Sequence, residues 1–359
     1  MSSIFGNKLK ISIFGQSHGE AIGVIIDSFP AGVSIDTARI EQFCARRAPG
    51  GDLSSERCES DKVHFLSGIV NGKSCGAPIC VVLANEDARH EDYPKELDIP
   101  RPSHADYTAH IKYGGYEDLR GGGHLSGRLT APLCVAGAIC LEYLSSCGTD
   151  IASRIFSIGK VFDKEIDYCD KNKTGEYIDL LKDAEIPVYS PDMSSAVKRE
   201  ILNAKANGDS VGGCVECIIN GVPAGIGDPI FDGVENNISK IIFSIPGVRG
   251  IEFGCGFKSA TLLGSENNDP FEYDDKGRIK TKTNKSGGVL GGITNGMPIN
   301  FKVAFKPTPS IASRQQSVSL SSQKCADISV GGRHDPCIAL RALPCVEAAA
   351  AIALCDMMI

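Results

Sequence analysis

The chain has 359 residues, 42% hydrophobic and 23% charged, which is an ordinary globular composition with enough apolar material for a sizeable core. Its formal charge of −7 argues against nucleic acid or an anionic membrane as a partner, because both need a basic face. The fifteen cysteines are odd in number and follow a start, MSSIFGNKLKISIFG, without a signal-peptide pattern, so they read as reduced core residues of a cytoplasmic protein.

In chain order, residues 9–15 (LKISIFG) predict a strand that runs into a glycine-rich turn carrying Ser17-His18-Gly19, and 22–26 predict a second strand. Residues 36–47 (DTARIEQFCARR) have helical apolar spacing, with Asp36 as N-cap and two arginines at the end. Strands are expected over 63–69 and 77–83. The run GIVNGKS at 68–74 has three residues between its glycines where a phosphate-binding loop needs four, so it predicts a hairpin turn. Residues 131–146 are small and apolar and predict a buried helix. Residues 164–190 look polar and irregular. A helix from Asp192 to a stop at Asn207-Gly208, a strand over 215–219, a helix over 231–243 and a buried C-terminal helix complete the pattern. No run of eighteen apolar residues suggests a membrane span. Cys214 and Cys217 form a CxxC without a second pair, and no metal site is expected. Residues 25–32 (IIDSFPAG) echo 218–225 (IINGVPAG), which points to a duplicated β-α unit within one domain spanning 1–359.

The chemistry concentrates in residues 101–130, which hold Arg101, Arg120, Arg128, His104, His110, His124 and the run Gly121-Gly122-Gly123. Arginine supplies forked donors for phosphate or carboxylate, histidine moves protons near neutral pH, and glycine lets backbone approach a ligand. The same residue types recur in Ser17-His18-Gly19, in Lys306-Pro307-Thr308-Pro309-Ser310 and in Gly332-Arg333-His334-Asp335-Pro336-Cys337 followed by Arg341. Each cluster alone could be a turn or a surface ion pair. Together they predict a site for a small, multiply charged anion. No serine sits on a nucleophile elbow, so a hydrolytic triad is not indicated.

These segments resemble the chorismate synthase family over nearly the whole chain. GQSHGEAIGVIID (15–27) matches its first signature; RPSHADYT, KYG, D-x-RGGG and S-G-R-x-T its central one; GGRHDPC and RALPCVEA its last. GDSVGG, GSENND, SGGVLGGITNG and the KPT turn fall in order between them. The resemblance implies an α+β fold, a β-α-β sandwich of two similar halves, assembled as a homotetramer. It implies a 1,4-elimination of phosphate from 5-enolpyruvylshikimate 3-phosphate to give chorismate, with reduced FMN required but no net redox change. The flavin would be reduced by NADPH or, as favoured here, by a separate flavin reductase. By the same resemblance His18 protonates the leaving phosphate, His104 serves the flavin and Asp335 assists loss of the ring hydrogen. Arg46, Arg47, Arg128 and Arg333 meet substrate. Arg47, His124, Leu125, Ser126, Pro246, Gly247, Gly291, Lys306, Pro307, Thr308, Pro309, Ser310 and Arg333 contact the cofactor.

The chain departs from the family pattern in several places. Ser28 and Ser103 stand where glycine is usual, which implies that the turn at 28 needs no glycine-only conformation. His124 replaces an arginine, Pro246-Gly247 replaces Asn-Ala, Leu340 stands where proline is common, and only Arg57 partly replaces a missing basic residue. A flavin-independent phosphate-ester hydrolase and a non-catalytic anion- or flavin-binding protein are the rival readings.

Overall fold

A computed structural model describes residues 3–49, 53–54, 60–86, 97–182, 184–331 and 334–359. The first part of the chain forms β1 (Ile4–Phe5), β2 (Lys10–Gly15), β3 (Ala21–Asp27), α1 (Thr37–Ala45), β4 (His64–Ser67), β5 (Ile69–Val70), β6 (Lys73–Ser74), β7 (Ile79–Ala84), α2 (Asp106–Tyr113) and α3 (Thr130–Ser146). The rest forms β8 (Asp150–Ile158), β9 (Val161–Phe162), α4 (Lys171–Lys182), α5 (Pro191–Ala206), β10 (Gly213–Asn220), α6 (Val234–Ile242), β11 (Val248–Phe253), α7 (Gly264–Asn267), β12 (Phe271–Tyr273), β13 (Ile279–Thr281), β14 (Val289–Leu290), β15 (Ile293–Thr294), β16 (Ile299–Phe305), β17 (Gln315–Ser319), β18 (Lys324–Ile328) and α8 (Ala339–Met358).

Two five-stranded antiparallel sheets follow from period-two patterning. In the first, ordered β1-β2-β3-β7-β4, Ile22, Val24 and Ile26 pair with Leu83, Val81 and Ile79, and all six side chains are buried. In the second, ordered β11-β16-β10-β8-β9, Val215, Cys217 and Ile219 pair with Val303, Phe301 and Ile299 on the buried face. Helices α1 and α3 pack on the first sheet side and α6 and α8 on the second, with α3 against α8 at the centre, so the fold is an α+β sandwich with helices between two sheets. Each fully buried isoleucine or leucine in this layer contributes about 1.5–3 kcal/mol. The seam between α3 and α8 is tight: a Cβ on Gly137 would lie 2.2 Å from the Ala348 Cβ.

The strand order β2-β3-β7-β4 matches β8-β10-β16-β11. The turns after β3 and β10 also share three hydrogen bonds. Ser74 Oγ donates to the Pro30 carbonyl as Thr294 Oγ1 donates to that of Pro223. The Gly32 and Gly225 amides donate to the carbonyls of Ser74 and Thr294. The Val33 and Ile226 amides donate to the same two hydroxyls.

Several elements differ from expectation. The polar stretch 164–190 contains the helix α4, capped by Asp170, whose Oδ1 accepts the Asn172 amide at 2.9 Å. Its stripe is only Thr174, Ile178 and Leu181, too sparse to stand out, yet it covers the outer face of the second sheet. The strand expected over 63–69 breaks at Gly68, where a Cβ would meet Ile79 Cα at 2.5 Å, and the predicted hairpin follows as β5 and β6. By hydropathy and length, Arg120–Ser146 is apolar enough to cross a membrane, but 72% of its most apolar stretch is buried inside the fold, so the core uses its apolarity. Of the fourteen described cysteines, all free, seven are buried, so core packing accounts for only half of them. Ser28 has φ +63 and Ser103 φ +57, so the turn at 28 does adopt a glycine-favouring conformation and a serine carries it.

Candidate active site

The glycine triplet runs beside two imidazoles. Gly121, Gly122 and Gly123 have φ of +59, +83 and +56. A Cβ on Gly121 would lie 2.4 Å from His18 Cε1, one on Gly122 would lie 3.6 Å from His104 Cε1, and one on Gly123 would lie 2.5 Å from the Asp118 carbonyl oxygen. Gly121 therefore lets His18, from the β2–β3 turn, approach this backbone closely, and His104, before α2, lies in ordinary contact distance of the next residue. The Ser17 amide donates to the Gly123 carbonyl at 3.1 Å and locks the two loops together. Arg120 forks onto Asp118 at 2.9 and 3.0 Å, and Asp118 is held below the usual carboxylate range chiefly by that hydrogen bond.

His104 is fixed through one nitrogen. Its Nδ1 lies 2.6 Å from Asp106 Oδ1, and Arg101 forks onto the same carboxylate with two contacts of 2.8 Å. Burial pushes Asp106 up, but the hydrogen bonds from Arg101 and His104 outweigh it and hold the carboxyl well below its ordinary value. The KPTPS turn closes over this group: Lys306 Nζ donates to the Ser103 carbonyl, and Arg101 reaches Ser310 Oγ at 3.5 Å. Burial, then Arg249, lowers the Lys306 ammonium. Burial also pushes the His334 imidazole down, with the fields of Arg101 and His104 adding to it.

The arginine pair at the end of α1 diverges. Arg46, its C-cap, forks onto buried Glu347 of α8 at 2.6 and 2.8 Å, and Ser153 completes that carboxylate's bonding. Arg47, one residue on, turns instead to Asp61, which also accepts from Arg128, and all three are buried. Burial raises Asp61, and the two guanidiniums overcome it to hold the carboxyl low. Arg128 is anchored further by Asn85 Oδ1 at 3.0 Å, and Asn85 Nδ2 donates to the Gln16 and Gly19 carbonyls flanking His18. Arg341 donates to the Arg47 carbonyl at 2.8 Å and pairs with Asp335.

His18, His104, Arg47, Arg128, Lys306, Ser310 and Asp335 thus belong to one connected set. Ser126 accepts the Arg128 amide at 3.3 Å, and Leu125 is exposed beside it. Gly247 supports the KPTPS turn, because its carbonyl accepts the Lys306 amide at 2.9 Å and a Cβ on it would meet Ile338 at 2.5 Å. Pro246 precedes it. Pro307 packs on Gly212, and the Pro309 carbonyl accepts from Gln315 at 3.3 Å. Two expected residues are engaged elsewhere: Arg46 with Glu347, and His124, whose nitrogens reach the Gly15 carbonyl at 2.8 Å and Ser3 Oγ at 2.9 Å. Gly291 lies at the tip of the β14–β15 hairpin, with nothing within 4 Å of its Cβ position. Arg333 and Arg57 lie outside the described residues. Asp61, Asn85 and Asp106 were not singled out by sequence reasoning, and only the Asp106 spacing from His104 offered a signal.

Three buried polar atoms around this set, Ser17 Oγ, Arg47 Nε and Thr308 Oγ1, have no hydrogen-bond partner among the described residues. They are donors from three separate loops, so the set fits ligands rich in acceptor oxygens, such as a phosphorylated polycarboxylate or the phosphate and polar ring edge of a flavin nucleotide. Among the described residues no three metal-ligand side chains gather.

The family profile described as chorismate synthase matches residues 9–359, the whole span that carries these loops. The chain belongs to the chorismate synthase family. It is 43% identical over 358 residues to the chorismate synthase of Korarchaeum cryptofilum, covering 98% of this chain and 96% of the relative. It is 45% identical over 362 residues to that of Lachnoclostridium phytofermentans, covering 99% and 95%. A crystal structure of chorismate synthase superposes with a TM-score of 0.76 at 27% identity, covering 98% of this chain and 92% of the other. The protein is therefore a carbon–oxygen lyase of the chorismate synthase family with that family's fold.

Proposed function

We propose that the enzyme eliminates phosphate from 5-enolpyruvylshikimate 3-phosphate to give chorismate, using reduced FMN with no net redox change. The observation that carries this reading is the pair of imidazoles, His18 beside Gly121 and His104 beside Gly122. One site then offers two proton-handling groups, bordered by buried guanidiniums suited to phosphate and carboxylate.

When bound, reduced FMN supplies electron density that the elimination uses and returns. The chain does the rest. Arg128 and Arg47 bind the anionic groups of the substrate, each charge-assisted contact contributing about 1.5–3 kcal/mol. His18 donates a proton to the departing phosphate. His104, with Nδ1 fixed by Asp106, keeps Nε2 directed away from the ion pair, where it holds a proton beside the cofactor. Asp335, oriented by Arg341, takes part in removal of the ring hydrogen. Lys306, Thr308, Ser310, Ser126 and Leu125 line the cofactor side. By the family resemblance Arg333 is assigned to the substrate and Gly291 to the flavin, whereas Arg46 and His124, engaged by Glu347 and by Gly15 and Ser3, are assigned supporting roles.

The enzyme is read as cytoplasmic and receives its flavin reduced by a partner reductase, with NADPH as the source of electrons. Residues 1–359 form one domain with an internal repeat, a reading supported by the matching strand orders and turn hydrogen bonds. A homotetramer is supported by Ile4, Ile25 and Leu66, exposed on the first sheet, whereas α4 and α5 pack on the second. The test is His104→Ala assayed anaerobically with reduced FMN. Turnover falls about 10²-fold or more while the melting temperature holds, as for loss of a general acid–base group; unchanged turnover removes His104 from the mechanism.

A further inference from the structure

We propose that Asp61 is a positioning residue of the substrate site, an internal counter-anion that holds Arg47 and Arg128 together in the arrangement a phosphorylated substrate meets. The inference rests on the functional reading above and assigns a group that reading leaves without a role.

The geometry is unlike that of a structural ion pair. Arg47 Nη2 donates to Asp61 Oδ2 and Arg128 Nη1 to Oδ1, so two cations share this one carboxylate. All three side chains are at most 5% exposed, where solvent does little to screen the two guanidiniums from each other. The neighbouring pair provides the contrast. Arg46 and Glu347 match one to one, fork to fork, and the Ser153 amide and hydroxyl both donate to Glu347 Oε1, so there one cation meets one carboxylate. The Asp61 group is open: Arg47 Nε is buried and has no partner among the described residues. The backbone bends to deliver the carboxylate, with Asp61 at φ +46, in the left-handed region.

Asp61 also joins the two sides of the site. On one side Arg128 connects through Asn85 to the carbonyls flanking His18. On the other, Arg47 connects through its carbonyl to Arg341 and so to Asp335. Without the carboxylate, two buried like charges would separate, and both connections would shift. An anion bound between the guanidiniums would take over part of this work, so the ligand class is a small phosphate or phosphomonoester.

The test is Asp61→Asn, which keeps the shape and removes the charge. In phosphate-free buffer the variant melts below the natural protein. About 10 mM inorganic phosphate raises its melting temperature far more than that of the natural protein, because the anion binds the folded state alone. With reduced FMN and substrate, KM rises about 30-fold while kcat changes by less than about 3-fold, the mark of lost binding and not of lost chemistry. A melting loss that phosphate does not restore, or an unchanged KM, overturns the proposal. Asp61→Glu, which keeps the charge one methylene further out, decides the matter if the asparagine variant does not fold: a KM raised about tenfold with near-natural stability supports it, and a natural KM overturns it. The phosphate-dependent melting needs no turnover, so it reports on Asp61 even if the natural protein forms no chorismate.

Discussion

Ser28 and Ser103 occupy left-handed backbone, φ +63 and +57, at positions where the family resemblance leads one to expect glycine. Nothing in the letters reveals that strain, because serine reads as an ordinary turn residue. A left-handed L-residue costs about 1–2 kcal/mol, partly offset by the greater unfolded-state entropy of glycine, so Ser28→Gly stabilises the protein by about 0.5–1 kcal/mol in denaturant titration. His334 offers a second residue-scale test. Its folded imidazole is held below the ordinary value by burial, so the unfolded chain takes up a proton first, at about pH 6.5. The unfolded state then binds more protons, and stability falls as pH drops through about 6.5, levelling off below the lowered folded value. His334→Asn removes this share, and its melting temperature declines less between about pH 7 and pH 5 than that of the natural protein. Parallel declines would show that His334 contributes nothing. The arginine pair shows why adjacency in sequence misleads: Arg46 caps α1 and Arg47 leaves it, so consecutive guanidiniums turn to different carboxylates, Glu347 and Asp61.

At the scale of elements, the strongly patterned segments were legible. Asp36 caps α1 as its spacing predicts, accepting the Ala38 and Arg39 amides at 3.0 and 3.2 Å. The apolar run 131–146 is α3, and the GIVNGKS segment is a hairpin. Helix α4 was not legible, because its three buried residues are diluted by lysine, glutamate and aspartate that face solvent. The pairing of α3 with α8 depends on residues over two hundred positions apart, which no local pattern records. Gly137 is its closest point. Gly137→Val places branched carbon where Ala348 already stands, and about 3 kcal/mol of stability is lost, measured by chemical denaturation. A loss under about 1 kcal/mol would mean that the two helices separate freely.

Across the whole molecule, each half contributes one five-stranded sheet and one buried central helix, α3 or α8, and the candidate site residues lie on the segments that connect these elements. The 101–129 segment of the first half meets the KPTPS turn of the second through the Lys306–Ser103 and Arg101–Ser310 hydrogen bonds. The sequence motifs named most members of this site, but the carboxylates that organise its cations, Asp61 and Asp106, emerge only from folding, since a buried aspartate looks like any surface aspartate in a string. The most direct measurement is anaerobic incubation of the natural protein with 5-enolpyruvylshikimate 3-phosphate, with and without chemically reduced FMN, following chorismate and phosphate together. Equal amounts of chorismate and phosphate, formed only when reduced FMN is present, are the expected result. Phosphate released without flavin, or flavin bound with neither product formed, would contradict the account.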